Sequence, residues 1–383
     1  MEQYALYTHP LSNRDDTLAL RIVSLSSQNP AFYPSISAAL QASISGDTIL
    51  VEPGTYRESL VIDKAVSLVG NGGSTKVVIE SIDLPCLSLQ ANAIRVEGFT
   101  LRNHLAVQPN QYGVVDVSSG QVEIVDCDLS SASYACLVVS GSSAAANLRH
   151  CHIHDSDGYG VLVCMVGSCK LEQCTIQGNA QAEVAALQNS DLSLQDCTLC
   201  HGRGYGVLID GCSQGRLLRC DIYDNAQPGV AVYQESVADL LACKLHHGRA
   251  SGVTFCQQAR GLVQDCEAYA NIGSAIEVKQ QSTPTIRSCK IYKGKWSGIF
   301  VGDASQGIIE DCEIFDNVMA GIEVAWESNP IIRHCQIHRH SYQGIAVFQG
   351  GRGIVADCDL SQNVLGSISV EPGSLVYQER NSG

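Results

Sequence analysis

Apolar residues in this chain alternate with polar ones over runs of only three to five positions, and glycine or asparagine then breaks each run. Residues 312–334, CEIFDNVMAGIEVAWESNPIIRH, hold three such runs in succession. A helix would need apolar spacings of three and four sustained over ten or more positions, so the pattern predicts short β-strands. The unit then repeats. Cys127, Cys151, Cys174, Cys197, Cys220, Cys243, Cys266, Cys289, Cys312, Cys335 and Cys358 are separated by one step of 24 residues and nine of 23. A strict period of this length predicts a solenoid whose units bury their apolar faces only against one another. Three strands per unit, stacked in parallel at ~4.8 Å, predict an all-β parallel coil with three short parallel sheets. The pattern corresponds to roughly thirteen coils.

The ends of the repeat set the expected domain limits. Residues 1–20 are expected to be mobile. Residues 21–46 read as an N-terminal cap carrying an amphipathic helix from Ser35 to Ile44, and residues 47–370 as the solenoid. Residues 371–383, EPGSLVYQERNSG, are expected to leave the register and cover the far end.

Composition narrows the chemistry. The chain has 383 residues, 45% hydrophobic and 16% charged, which excludes a disordered class. Its net charge of −15 comes without any Lys/Arg block, so neither nucleic acid nor an anionic membrane surface is an expected partner. The opening residues, MEQYALYTHPLSNRDDTLAL, lack a basic segment followed by an apolar core, and no stretch approaches 18 uninterrupted apolar residues. The expectation is a cytoplasmic chain whose eighteen cysteines are reduced. Cys197 and Cys200 form one isolated C-x-x-C pair, so no metal and no cofactor is expected. Eleven cysteines share one register, which predicts an interior column of small, soft, inert side chains.

The repeat resembles the right-handed parallel β-helix of the pectate-lyase-like superfamily. SISAALQASISGDTILVEPGTYRESLVI is similar to the opening of many such helices, including pectin methylesterases. Coils such as NPIIRHCQIH, GIAVFQGGRGIVADCDL and IFDNVMAGIEV also resemble the carbohydrate-binding and sugar-hydrolase repeats of F-box-associated adaptors and their bacterial relatives. The resemblance implies that an inward asparagine ladder often fills the bend that carries cysteine here. Several family signatures are missing: the Gly-Arg-Pro-Trp and Asp-x-x-Phe-Gly elements of the methylesterases, the Asp-Pro-His-Glu run of alginate epimerases, and the Trp-x-Asp-His and Arg-x-Pro-x-x-Arg patterns of pectate lyases.

Period-two alternation assigns outward rows. One row, three residues after each cysteine, runs Tyr223, His246, Tyr269, Tyr292, Phe315 and His338. It either stabilises the stack by ring contact or presents an aromatic stripe to a sugar or peptide. A second row lies on the strand that, by resemblance, lines the substrate groove. There Glu277, Lys279, Asp303, Glu323 and Glu327 gather with Phe300 and Trp326. A column of Gln188, Gln234, Gln257, Gln280 and Gln349 follows, expected to form an amide ladder.

Two functions follow. The first is a noncatalytic recognition scaffold binding an extended peptide, protein or glycan through Tyr233, Phe300, Trp326, Phe348 and Glu327. A coil period without long insertions favours it, because catalytic sites generally need loops to exclude water. The alternative is a polysaccharide lyase, glycoside hydrolase or epimerase on an acidic glycan. Glu277, Asp303 and Glu323 would then act as acid and base, with Lys279 stabilising charge.

Overall fold

Each ladder cysteine follows a residue in the left-handed region: Asp126, His150, Gln173, Asp196, Arg219 and their successors to Asp357 have φ near 50°. That one residue turns the chain sharply, and the small thiol after it fits the inside of the corner. The computed structural model describes residues 19–26, 29–104 and 112–383. Among these, one corner per coil separates sheet A, of 16 strands, from sheet B, of 13, and sheet C of 14 closes each turn. Every strand pairs in parallel with the strand one coil on, as Leu245 does with Ala268 and Ile276 with Ile299. The result is a parallel β-solenoid of about fourteen turns, one more than the roughly thirteen counted from the repeat. Its interior is a continuous stack of Val, Ile and Leu, with the cysteine register at 1–2% exposure.

Thiols bond along this corner. Cys266 Sγ donates to the carbonyl of Gln264 at 3.2 Å and accepts from the Cys243 backbone N–H at 3.3 Å. All eighteen cysteines are free, and burial pushes thiols such as Cys86 up to about 11.

A second ladder, not expected from the sequence, occupies the corner between sheets B and C. Asn179, Asn225, Asn271, Asn317 and Asn363 recur every 46 residues, one coil in two. Asn225, Asn271 and Asn317 accept at Oδ1 from the backbone N–H of Gly202, Gly248 and Gly294, each at 2.9 Å. The space is tightest at Gly202, where a Cβ would lie 2.6 Å from Glu183 Oε1 and 2.7 Å from Asn225 Oδ1. The amide of one coil thus fills the side-chain space of the coil before it. His340 takes the place of the alternating glycine in this column: its backbone N–H donates to Asn363 Oδ1 at 3.1 Å, while its ring accepts from Asn317 N–H at 3.2 Å and meets the Ile314 carbonyl at 3.0 Å.

At the front, Ser35 caps a helix over Ile36–Ala42, and Glu58 accepts from the backbone N–H of Ile36 and Ser37 at 2.9 Å. Ile36, Ala39 and Leu40 are buried over the first coils, so the helix plugs the open end of the core. Leu20–Val23 is already a strand of sheet A; residues 1–18 of the segment expected to be mobile lie outside the described residues.

The C-terminal tail differs from expectation. Leu375–Glu379 pairs with Arg352–Ala356 in register, 23 residues on, and extends sheet A instead of covering it. Asn381 stands one period after Cys358. It accepts from Cys358 N–H at 3.0 Å and donates to the Val355 carbonyl at 2.9 Å. Polar substitution hid a register that the backbone keeps.

Candidate functional site

Sheet C carries its outward chemistry in register. Ala231, Thr254, Glu277, Phe300, Glu323 and Ala346 are successive partners across six coils. Glu277 and Glu323 therefore flank Phe300, two steps apart, which is about 9.6 Å along the stack. Their surroundings differ. Glu277 is ion-paired with Lys279 Nζ at 2.7 Å, and that ammonium also sits 5.6 Å from the Phe300 ring centre. Glu323 makes no ion pair among the described residues, and burial raises its pKa above the ordinary 4.5. Desolvation without a countercharge favours the protonated carboxyl.

Aromatic groups border the pair. Phe300 is 8% exposed, and the Trp326 ring meets its edge at 5.6 Å while staying 45% exposed. Tyr233, half-buried, meets Tyr205 at 6.3 Å, and Phe348 is half-buried two coils beyond Gly302 on the neighbouring outward row. The hydroxyl of Thr254, opposite Glu277, is buried and has no hydrogen-bond partner among the described residues.

Not every expected residue joins the cluster. Asp303 and Glu327 lie in the turns after their strands, at φ 58° and 59°, beside the sheet face instead of on it. Trp326 shares that turn at φ 50°, and only its long ring reaches back to Phe300. The glutamine column is also in left-handed turns, with Gln188, Gln234, Gln257, Gln280 and Gln349 all at the surface. Gln234, Gln257 and Gln280 line an open depression with Cys212 and Asp303, and the inward amide ladder is the asparagine one described above.

Two features of this face escaped sequence reasoning. Asp116 lies earlier on the same outward row, between Ser88 and Val138, and burial pushes its carboxyl up to about 6 although Gly113 N–H donates to it at 2.8 Å. Its coil belongs to the less regular front part, where the 23-residue register gives no guide. Between Asp116 and Ala231 the face is apolar, built on Leu162, Ala182 and Ala185 with Tyr134, Tyr159 and Tyr205 against them. Tyrosines near the starts of sheet C strands were the available signal.

The aromatic row lies on sheet B. Tyr223, His246, Tyr269, Tyr292, Phe315 and His338 stack with centroids 4.7–5.6 Å apart and planes within 11° of parallel. Each inner ring spends both faces on its neighbours, leaving only edges to solvent. A sugar needs an open ring face, so the geometry favours stabilisation of the stack.

A family model described as right handed beta helix region matches residues 87–236, 184–326 and 274–382. No curated protein matches the sequence significantly. Among solved structures, a mutant of the periplasmic alginate epimerase AlgG aligns over 92% of this chain and 83% of its own at 12% identity, with TM-score 0.53. The catalytic unit of a thermostable GH87 α-1,3-glucanase from Streptomyces thermodiastaticus strain HF3-3 aligns over 91% of this chain and 65% of its own at 11% identity, with TM-score 0.52. A mannuronan C-5 epimerase A-module from Azotobacter vinelandii aligns over 89% and 96% at 15% identity, with TM-score 0.47.

The expectation of a noncatalytic recognition scaffold is corrected by the first two of these neighbours, which are named as an alginate epimerase and an α-1,3-glucanase and favour the polysaccharide-active alternative over it. The missing insertions misled. A regular sheet face can carry paired carboxyls on its own strands, without any loop.

Proposed function

The chain belongs to the right-handed β-helix family, and on that premise we propose that it is a glycoside hydrolase acting on a glycan laid along the outward face of sheet C. The observation that carries the reading is the pairing of Glu323, uncompensated and raised by burial, with Glu277, held against Lys279. Two carboxyls in opposed environments are what acid–base cleavage of a glycosidic bond requires. The protonated Glu323 donates to the leaving oxygen. Glu277 takes a proton from water, which attacks the anomeric carbon from the other side.

A separation of about 9.6 Å lies at the upper end of the range for inverting hydrolases, roughly 6.5 to 9.5 Å. Leaning of the two side chains toward each other across Phe300 would bring the carboxyls inside that range. Trp326, with its exposed ring, and Tyr233 offer platforms for flanking sugars. The neighbours named as an alginate epimerase and an α-1,3-glucanase support a polysaccharide substrate. Lys279 is the single cation ion-paired within the carboxyl cluster among the described residues, and the chain carries −15 overall, which supports a neutral glycan over a polyuronate.

The test is release of reducing ends from a panel of neutral glucans, mannans and xylans, with alginate and pectate alongside. Cleavage of a neutral glycan, lost in Glu323→Gln, is the expected result. Activity fully retained in that variant removes the assignment.

A further inference from the structure

The second outward face, on sheet B, holds a cluster that the proposed hydrolysis does not use. His152 and His154 alternate on one strand and so point to one side, and Asp128 is the register partner of His152 on the strand before. One ligand atom from each of the three lies within 4.8 Å of the others. Asp128 Oδ2 is 3.0 Å from His152 Nδ1 and Asp128 Oδ1 is 3.3 Å from His154 Nε2. The two imidazoles stack at 4.2 Å, presenting their nitrogens to the same carboxylate.

The far side of each ring is also held. His154 Nδ1 meets Asp155 Oδ2 at 2.8 Å, and His152 Nε2 meets the Gln177 side-chain amide at 3.1 Å. With Nδ1–H donated to Asp155, the Nε2 lone pair of His154 faces a carboxylate oxygen. Two acceptors at that range need a proton or a cation between them. A carboxylate behind a metal-binding histidine fixes its tautomer and raises its basicity, the usual outer arrangement of such sites.

We propose that Asp128, His152 and His154 bind a divalent d-block cation, with zinc as the best match, and that Asp155 and Gln177 orient the two imidazoles. Nitrogen and carboxylate donors in this ratio suit zinc, nickel or copper and are poor for magnesium or calcium. Three protein ligands on an outward sheet face leave the remaining coordination positions to water or a ligand. On binding, Gln177 presents its amide oxygen to the His152 Nε2–H, while His152 Nδ1 and His154 Nε2 give their lone pairs to the metal.

The full chain, stripped with chelator, would be titrated with Co²⁺ and followed by visible ligand-field absorption, then displaced with Zn²⁺. One saturable equivalent is expected, with affinity reduced at least tenfold in His152→Ala and in His154→Ala, and about tenfold in Asp155→Asn. Circular dichroism checks that each variant is folded; the side chains are 20–76% exposed, so folding should survive. Absence of saturable binding overturns the proposal. So does binding that all three variants retain, or binding with thiolate-to-cobalt absorption that disappears in Cys212→Ser, the exposed cysteine.

Discussion

Glu183 is fully buried, and Asn179 holds it: the Asn179 backbone N–H donates to Glu183 Oε1 at 3.2 Å, and its side-chain amide donates to the other oxygen. No cation answers the charge among the described residues. Desolvation pushes the carboxyl up to about 8 from its ordinary 4.5.

The sign of the resulting pH dependence follows from linkage. As pH rises through 4.5 the unfolded chain releases this proton while the folded chain keeps it to about 8, so stability falls across that interval. Above it the cost is complete. Glu183→Gln preserves an amide-compatible shape without the charge, and at pH 8 it should stabilise the protein by on the order of 2 to 4 kcal/mol. Melting temperatures of the two proteins at pH 5 and pH 8 check this. A gap that does not widen at pH 8 refutes it.

His340 works in the opposite direction. Burial in the asparagine column lowers its pKa to about 4 from 6.5. Between those values the unfolded chain takes up a proton that the folded chain refuses, so stability present above pH 6.5 is lost as pH falls toward 4. His340→Asn places there the amide found one coil before, at Asn317, and should flatten this acid loss. Denaturation at pH 5 against pH 7 is the measurement, and equal acid sensitivity in both proteins would refute it.

Stacking on sheet B predicts a cost without loss of function. Tyr269 lies 4.7 Å from His246 and 5.0 Å from Tyr292, stacked on both sides. Tyr269→Ala should remove the two stacked contacts, at about 0.5 to 1.5 kcal/mol each, together with an edge contact to His247. Tyr269→Phe should keep all three. Unfolding of the two variants separates ring stacking from the hydroxyl, and glycan turnover should be unchanged in either. A marked loss of turnover in Tyr269→Ala, with stability intact, would instead place this row at the substrate.

Repetition made most of the fold legible. Eleven cysteines in register and alternating short runs determine strand, period and inward face, because a solenoid repeats its local rules. The asparagine ladder was missed because it recurs every 46 residues, with Gly202, Gly248, Gly294 and His340 between its members, and a 23-residue alignment averages the two. The tail was missed because Asn381 replaces a cysteine. Outward rows were readable as far as Glu277, Phe300 and Glu323, since alternation alone places them. The turn positions of Asp303 and Glu327 were not, because the chain leaves alternation after Val301 and Val324. Asp128 and His152 were overlooked for a related reason. They lie 24 residues apart, and only the stacking of the coils makes them neighbours.

The carboxyl pair makes a stereochemical prediction. If Glu323 is the acid and Glu277 the base, water enters from the face opposite the leaving oxygen, and the first-formed sugar has the inverted anomeric configuration. Proton NMR of a fresh digest resolves this before mutarotation. Burial raises the Glu323 carboxyl above its ordinary 4.5, so the alkaline limb of kcat/KM should lie above that of an exposed glutamate. Glu277→Gln and Glu323→Gln should each lower kcat by about a hundredfold or more, while Trp326→Ala should mainly raise KM. Retention of anomeric configuration would discard the water-mediated route: the second carboxyl would then have to reach the anomeric carbon, at about 5 to 5.5 Å from the first. Glu277 and Glu323, two coils apart with Phe300 between, are too widely spaced for that.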